Sequence, residues 1–130
     1  MKPSSIHVAD LVGFPYRAGG TDPAQGVDCL WVARQAALRV FPDMPHEHFP
    51  IDRIEAEAAR GEECWRKVGC AGKLGDILLG NSPEPWVAIL VDAAGRYCLT
   101  ANRKRGTYLT FIGNMSQPDL VLRYKRKAAP

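Results

Sequence analysis

The chain is poor in the residues that usually announce chemistry. Its 130 residues hold four cysteines and three histidines. Cys29, Cys64, Cys70 and Cys98 are irregularly spaced and form no C-x-x-C pair, so neither a zinc site nor a disulfide framework is written in the sequence. Cys64 and Cys70 are near enough to oxidise or to share a metal, and a cluster with Cys29 and Cys98 would require all four to converge. Ordinary thiols are the plainer reading, and no cofactor or metal is expected. No apolar run approaches the ~20 residues that span a bilayer. The opening MKPSSIHVADLV has a lysine but neither a continuous apolar stretch nor a small-residue cleavage site, so no membrane span and no signal peptide are expected. Charge of one sign is also lacking, with 17 Lys and Arg against 14 Asp and Glu, a formal +3. The basic clusters at Arg103-Lys104-Arg105 and Arg123 to Lys127 read as solvated turn and tail charges, and nucleic acid is not the partner they favour.

What is present suits one globular domain over residues 1–130, since 46% hydrophobic residues in a chain of this length can bury a single core. Ser4 or Ser5 can cap a short helix through Val12, which Gly13 and Pro15 would end. Residues 14–27 read as loop. From Asp28 to Phe41, Leu30, Val32, Ala33, Ala36, Ala37 and Val40 recur near a helical period, and Pro42 stops the pattern. A proline-rich connector follows, then a charged helix from Ile51 to Arg60. The second half changes to short β-rich runs: Gly75 to Leu79, Trp86 to Val91, Arg96 to Ala101, Thr107 to Ile112 and Leu120 to Tyr124. Helices followed by strands predict an α+β fold, with N-terminal helices packed on a C-terminal antiparallel sheet.

The stretch PYRAGGTDPAQGVDCLWVARQ concentrates the chemistry. Asp28 stands where an N-cap belongs, so its carboxylate can accept from amides that otherwise lack partners. Cys29 follows at the first helical position, where the helix dipole favours a thiolate, the form that attacks carbonyls. Gly19, Gly20 and Gly26 allow the backbone to pass close to whatever sits above the sulfur. A small cysteine at an ordinary helix start is the bland alternative.

These residues carry a resemblance. FPYRAGGTDPAQGVDC resembles the hallmark of the NlpC-type papain-like cell-wall peptidases, in which PY-x-x-GG and a TDP-like turn lead to G-[FVY]-DC at the head of the catalytic helix. EECWRKVGCAGKLGDILL is similar to the family's "PGDL" entry into its sheet, here Leu74-Gly75-Asp76-Ile77. PWVAILVDAAGRYCLTA is similar to its two central strands, HVGIYLG and F-I-H-A. VLRYK resembles the closing strand of versions encoded with bacteriophage tail proteins. The resemblance implies a papain-like fold in which a helix-terminal Cys faces a strand His oriented by a third polar residue. It implies Cys29 as nucleophile, Tyr16 lining the cleft, Asp28 holding the turn, and cleavage of peptidoglycan stem peptides. It also implies a bacterial cytoplasmic origin and, for the phage-associated branch, incorporation into a virion tail.

The sequence departs from that pattern at the base. The strand position expected to hold histidine is Trp86, which would plug the cleft, and the third polar position falls on Leu99, or on Cys98 or Thr100 if the turn at Asp92 to Gly95 is gapped differently. The family's D-C-S-G becomes Asp28-Cys29-Leu30-Trp31, placing two bulky residues beside the sulfur. Of the three histidines, His7 lies on the first expected helix, and His46 and His48 lie in the PHEHFP connector, from which a substitute base would have to reach. Without a base, proton delivery to the leaving amine is lost, which is worth roughly 10²- to 10⁴-fold. Trp31 and Trp65 read as core or rim aromatics rather than sugar-stacking platforms, and Asp76 as a turn residue. Two functions are therefore expected: a catalytically impaired NlpC-like domain that docks with other phage tail-tip or baseplate proteins, or an active cysteine peptidase or amidase cleaving peptidoglycan with Cys29.

Overall fold

A computed structural model of the chain describes residues 6–44, 65–69, 72–81 and 84–124. Within them one α-helix packs on a six-stranded antiparallel sheet. The expected α+β layering is present.

The elements in chain order are a two-residue hairpin, β1 (Thr21–Asp22) and β2 (Gly26–Val27), then α1 (Cys29–Val40) and six strands. The strands are β3 (Trp65–Val68), β4 (Ile77–Gly80), β5 (Trp86–Leu90), β6 (Tyr97–Asn102), β7 (Gly106–Phe111) and β8 (Leu120–Tyr124). They are ordered β3-β8-β4-β5-β6-β7, every neighbour antiparallel. The last strand thus inserts between β3 and β4, and β7 closes the far side.

Alternation along the central strands builds two cores. Ile77 and Leu79 of β4, Ile89 of β5, Leu99 and Ala101 of β6 and Leu122 of β8 pack with Val32, Ala33, Ala36 and Ala37 of α1. On the opposite face Leu78, Ala88, Leu90 and Cys98 form a smaller cluster against Trp86, Ile112 and Met115. Both faces of β4 and β5 are covered, which is why ILLG and WVAIL are nearly continuous apolar runs. Each fully buried Leu or Ile contributes roughly 1.5–3 kcal/mol. The three buried alanines on α1 keep its inner face small, so helix and sheet approach closely.

Three expectations are corrected. The segment before Gly13 is not a helix through Val12; its described part makes only a 3₁₀ turn at Ala9–Leu11. Ile6 N–H donates to Val91 O, so the chain there is tied to the sheet rather than to its own next turn. The loop 14–27 contains the small β1–β2 hairpin, and β3, built around fully buried Trp65, was not anticipated. The helix expected at Ile51 to Arg60, the PHEHFP connector with His46 and His48, Cys64, Cys70 and the Lys125 to Lys127 tail lie outside the described residues.

Asp76 is the turn residue that the sequence suggests. Its carboxylate accepts from Gly72 and Lys73 N–H at the entry to β4 and from Arg123 Nε and Nη2 on β8.

Candidate active site

The glycine-rich loop is closed by main-chain bonds. Arg17 N–H donates to Val27 O, Val27 N–H to Pro15 O, Gly20 N–H to Arg17 O and Asp28 N–H to Gly20 O. Gly20 is required by contact, because a Cβ there would overlap the Gly26 carbonyl, and Gly26 is required by conformation, at φ 129°. The loop therefore arrives at α1 in one geometry. Asp28 caps the helix, its carboxylate accepting from Trp31 N–H at 2.8 Å, and Cys29 follows at the first helical position.

Cys29 is half-buried and lines a cleft of about 500 Å³ together with Tyr16, Trp86, Thr100, Asn102 and Tyr108. Tyr16 and Cys29 both line this cleft. Leu30 and Trp31 stay out of the cleft; Trp31 packs edge to face on Phe14, with ring centroids 6.2 Å apart. The two bulky residues after the cysteine pack against the helix-side core instead.

The electrostatics of the sulfur differ from the expectation. Burial pushes the Cys29 thiol above the ordinary thiol range, a main-chain hydrogen bond at Val87 opposes this, and the neighbouring Asp28 charge adds to the rise. Desolvation outweighs the helix terminus, so the thiol rather than the thiolate is the favoured form at neutral pH. Tyr16 is raised by burial and by the charges of Cys29 and Asp28. Tyr108 is also raised by burial, partly offset by Arg105, whose guanidinium lies 4.0 Å over its ring, while Asn102 Nδ2 donates to its hydroxyl at 3.1 Å.

The β5 and β6 side chains that face α1 are apolar. Side chains alternate along β5, so Val87 and Ile89 face α1 and Trp86, Ala88 and Leu90 face away. Trp86 lines the cleft with Cys29 from the face of β5 turned away from α1. Its indole N–H donates to Ser116 Oγ at 3.2 Å, and its ring packs with the far-side cluster. Val87 is the β5 residue whose main chain reaches Cys29. On β6, Leu99 points into the helix-side core and is fully buried. Cys98 lies in the far-side cluster, and buried Thr100 spends its hydroxyl donating to Val87 O at 2.7 Å.

His7, the histidine among the described residues, stands at the other end of α1. Its carbonyl accepts from Arg39 Nη1 at 3.0 Å. Arg39 is about 15 Å along the helix from Cys29 at ~1.5 Å per residue. His7 cannot serve that sulfur.

Sequence reasoning missed Asn102 and Tyr108 as cleft residues and read Arg103 and Lys104 only as solvated charges. The β6–β7 turn brings Asn102, Arg103, Lys104 and Tyr108 to the rim of the cleft. A basic run flanked by Asn and Tyr is the available sequence signal, and it has no spacing tied to a particular chemistry. Compared with known proteins, the chain matches no family model and no curated sequence at a significant level.

Proposed function

We propose that the chain is a papain-like domain of NlpC type that keeps the cysteine position but lacks a working base, and that it serves as a structural or docking component. The resemblance of its closing strand points to a bacteriophage tail tip or baseplate, with neighbouring tail proteins or peptidoglycan as partners. The observation that carries the reading is the apolar surface that β5 and β6 turn toward α1. Val87, Leu99 and Ala101 occupy it, on the side where the family resemblance puts a base and its orienting group. The raised thiol agrees with this, because a cysteine peptidase needs the thiolate or a base beside it. Absent a base, the amine leaving group has no proton donor and amide cleavage stalls.

A second reading is favoured by one feature. Asp28-capped Cys29 still opens on a cleft large enough for a peptide, which suits a cysteine peptidase or amidase acting on peptidoglycan stem peptides.

Alkylation of the protein by iodoacetamide from about pH 5 to about pH 9, with Cys29→Ala as the blank, separates the two. Beside it, peptidoglycan digestion is measured for both proteins. A docking domain gives slow alkylation that rises only at alkaline pH and no cleavage. Rapid alkylation at neutral pH, with cleavage that disappears in Cys29→Ala, establishes the peptidase and removes the proposal.

A further inference from the structure

β7 ends the sheet, and among the described residues only one end of its outer edge is used. Thr107 N–H donates to Phe14 O and Thr107 O accepts from Gly13 N–H, each at 2.9 Å. In an antiparallel strand the main-chain groups of alternate residues point the same way. Those of Leu109 and Phe111 therefore point outward with Thr107, while Ile112 N–H turns inward to Arg96 O at 2.7 Å. Beyond Thr107, β7 pairs with β6 alone among the described residues.

Two side chains of this edge strand, Leu109 and Phe111, are apolar and open to solvent. Leu109 is 40% exposed, Phe111 47% and Tyr97, directly opposite Phe111 on β6, 50%. Tyr97 and Phe111 meet edge to face at 6.0 Å between ring centroids. Period-two alternation puts all three on one face. The strand sequence GTYLTF contains no charge and no proline. Those are the devices by which exposed sheet edges normally resist pairing.

We propose that a second copy of this chain adds to this edge, β7 against β7, antiparallel about a two-fold axis through Thr110. Leu109 then exchanges both main-chain bonds with the partner copy's Phe111, and Phe111 does the same with the partner copy's Leu109. The exposed Leu and Phe of one copy cover the Phe and Leu of the other, and Thr110 meets its counterpart on the axis, a favourable cross-strand pair. The length of the free edge selects this occupant. Gly13 and Phe14 block it at Thr107, and the chain leaves the edge at Ile112, so among the described residues three are left open. A long foreign strand runs into Phe14, whereas a two-fold copy needs only the same three residues and meets no like charge. The sheet continues across both protomers as twelve strands, twice the six in one chain.

Sedimentation velocity over about 1 µM to about 1 mM, the span in which a small interface dissociates, tests the association. A concentration-dependent dimer is expected. Thr110→Cys adds a test of register, since facing Cα atoms of an antiparallel pair lie within disulfide range. Mild oxidation should give a covalent dimer, absent from the wild type, whose cross-link maps to position 110 in both copies. Leu109→Pro removes only an outward N–H and spares the β6–β7 ladder. Should that variant fail to fold, Leu109→Lys puts a charge on each copy's contact and leaves the backbone intact. Either should weaken dimerisation at least tenfold. A wild type monomeric throughout the range overturns the proposal. So does a dimer unaffected by the folded Leu109 variant, or one that forms without the cross-link at 110.

Discussion

Asp76→Ala should unfold the protein far more readily than loss of a surface carboxylate would. The carboxylate is 1% exposed and accepts from Gly72 and Lys73 N–H at 3.1 and 3.0 Å and from Arg123 Nε and Nη2 at 2.9 and 2.8 Å. It ties the turn before β4 to β8, the strand paired beside it. Deleting one partner of a buried ion pair costs about 3–5 kcal/mol, because the other is left uncompensated. Two features place this case at the low end. The Arg123 side chain is 21% exposed, so its guanidinium is partly hydrated already. Gly72 and Lys73 are exposed as well, so water takes up their freed amides. A loss of about 3 kcal/mol is expected, equivalent to roughly 10 °C in melting temperature for a chain of this size. Urea unfolding followed by far-UV circular dichroism would compare the wild type, Asp76→Ala, Arg123→Met and the double variant. The coupling energy should be at least about 1.5 kcal/mol for groups in direct contact. A destabilisation below about 1 kcal/mol, with additive single effects, would refute the clamp.

Other consequences are open to direct measurement. Asp28→Ala removes the α1 cap and should cost about 0.5–2 kcal/mol in the same urea assay, with Asp28→Asn near neutral; equal losses from both would mean that the charge, not the capping bond, matters. Asp10 is held at about 2, against a usual 3.8, by its hydrogen bonds to Arg39. A folded value below the unfolded one stabilises above the unfolded value and is lost as pH falls through the folded one. The stability difference between wild type and Asp10→Asn should therefore be constant above about pH 5 and shrink from about pH 4 to pH 2. An NMR titration placing Asp10 near its usual value would contradict this. The Cys98 thiol, buried in the far-side cluster, is pushed up to about 11 by desolvation. A disulfide reagent should leave it unmodified in the native protein and reach it only on unfolding, and rapid labelling of the native state would show that the far-side cluster opens.

Much of the layout can be read from the residues in order. The apolar repeat between Asp28 and Pro42 marks α1 to within a residue, because a capping carboxylate and a proline are local stops. The five expected strand runs in the second half all form, and Leu120–Tyr124 does so with the expected bounds. The segment before Gly13 misled because its backbone partners lie 85 residues away, as Ile6 to Val91 shows. β3 was missed because WRKV is short and basic, and its strand character depends on β8 lying beside it.

Local chemistry in the chain determined that Cys29 sits on an Asp-capped helix after a loop only glycine can follow, since capping bonds and steric limits act over a few residues. Tertiary structure alone decided which residues surround the sulfur. Neighbouring strand residues face opposite sides of the sheet, so a shift of one position exchanges Trp86 for Val87 as the residue turned toward α1. It also folded the β6–β7 turn so that Asn102 and Tyr108 reach the cleft, and it buried the sulfur deeply enough for desolvation to outweigh the helix end. Those outcomes depend on packing between distant segments, and no spacing within the sequence encodes them.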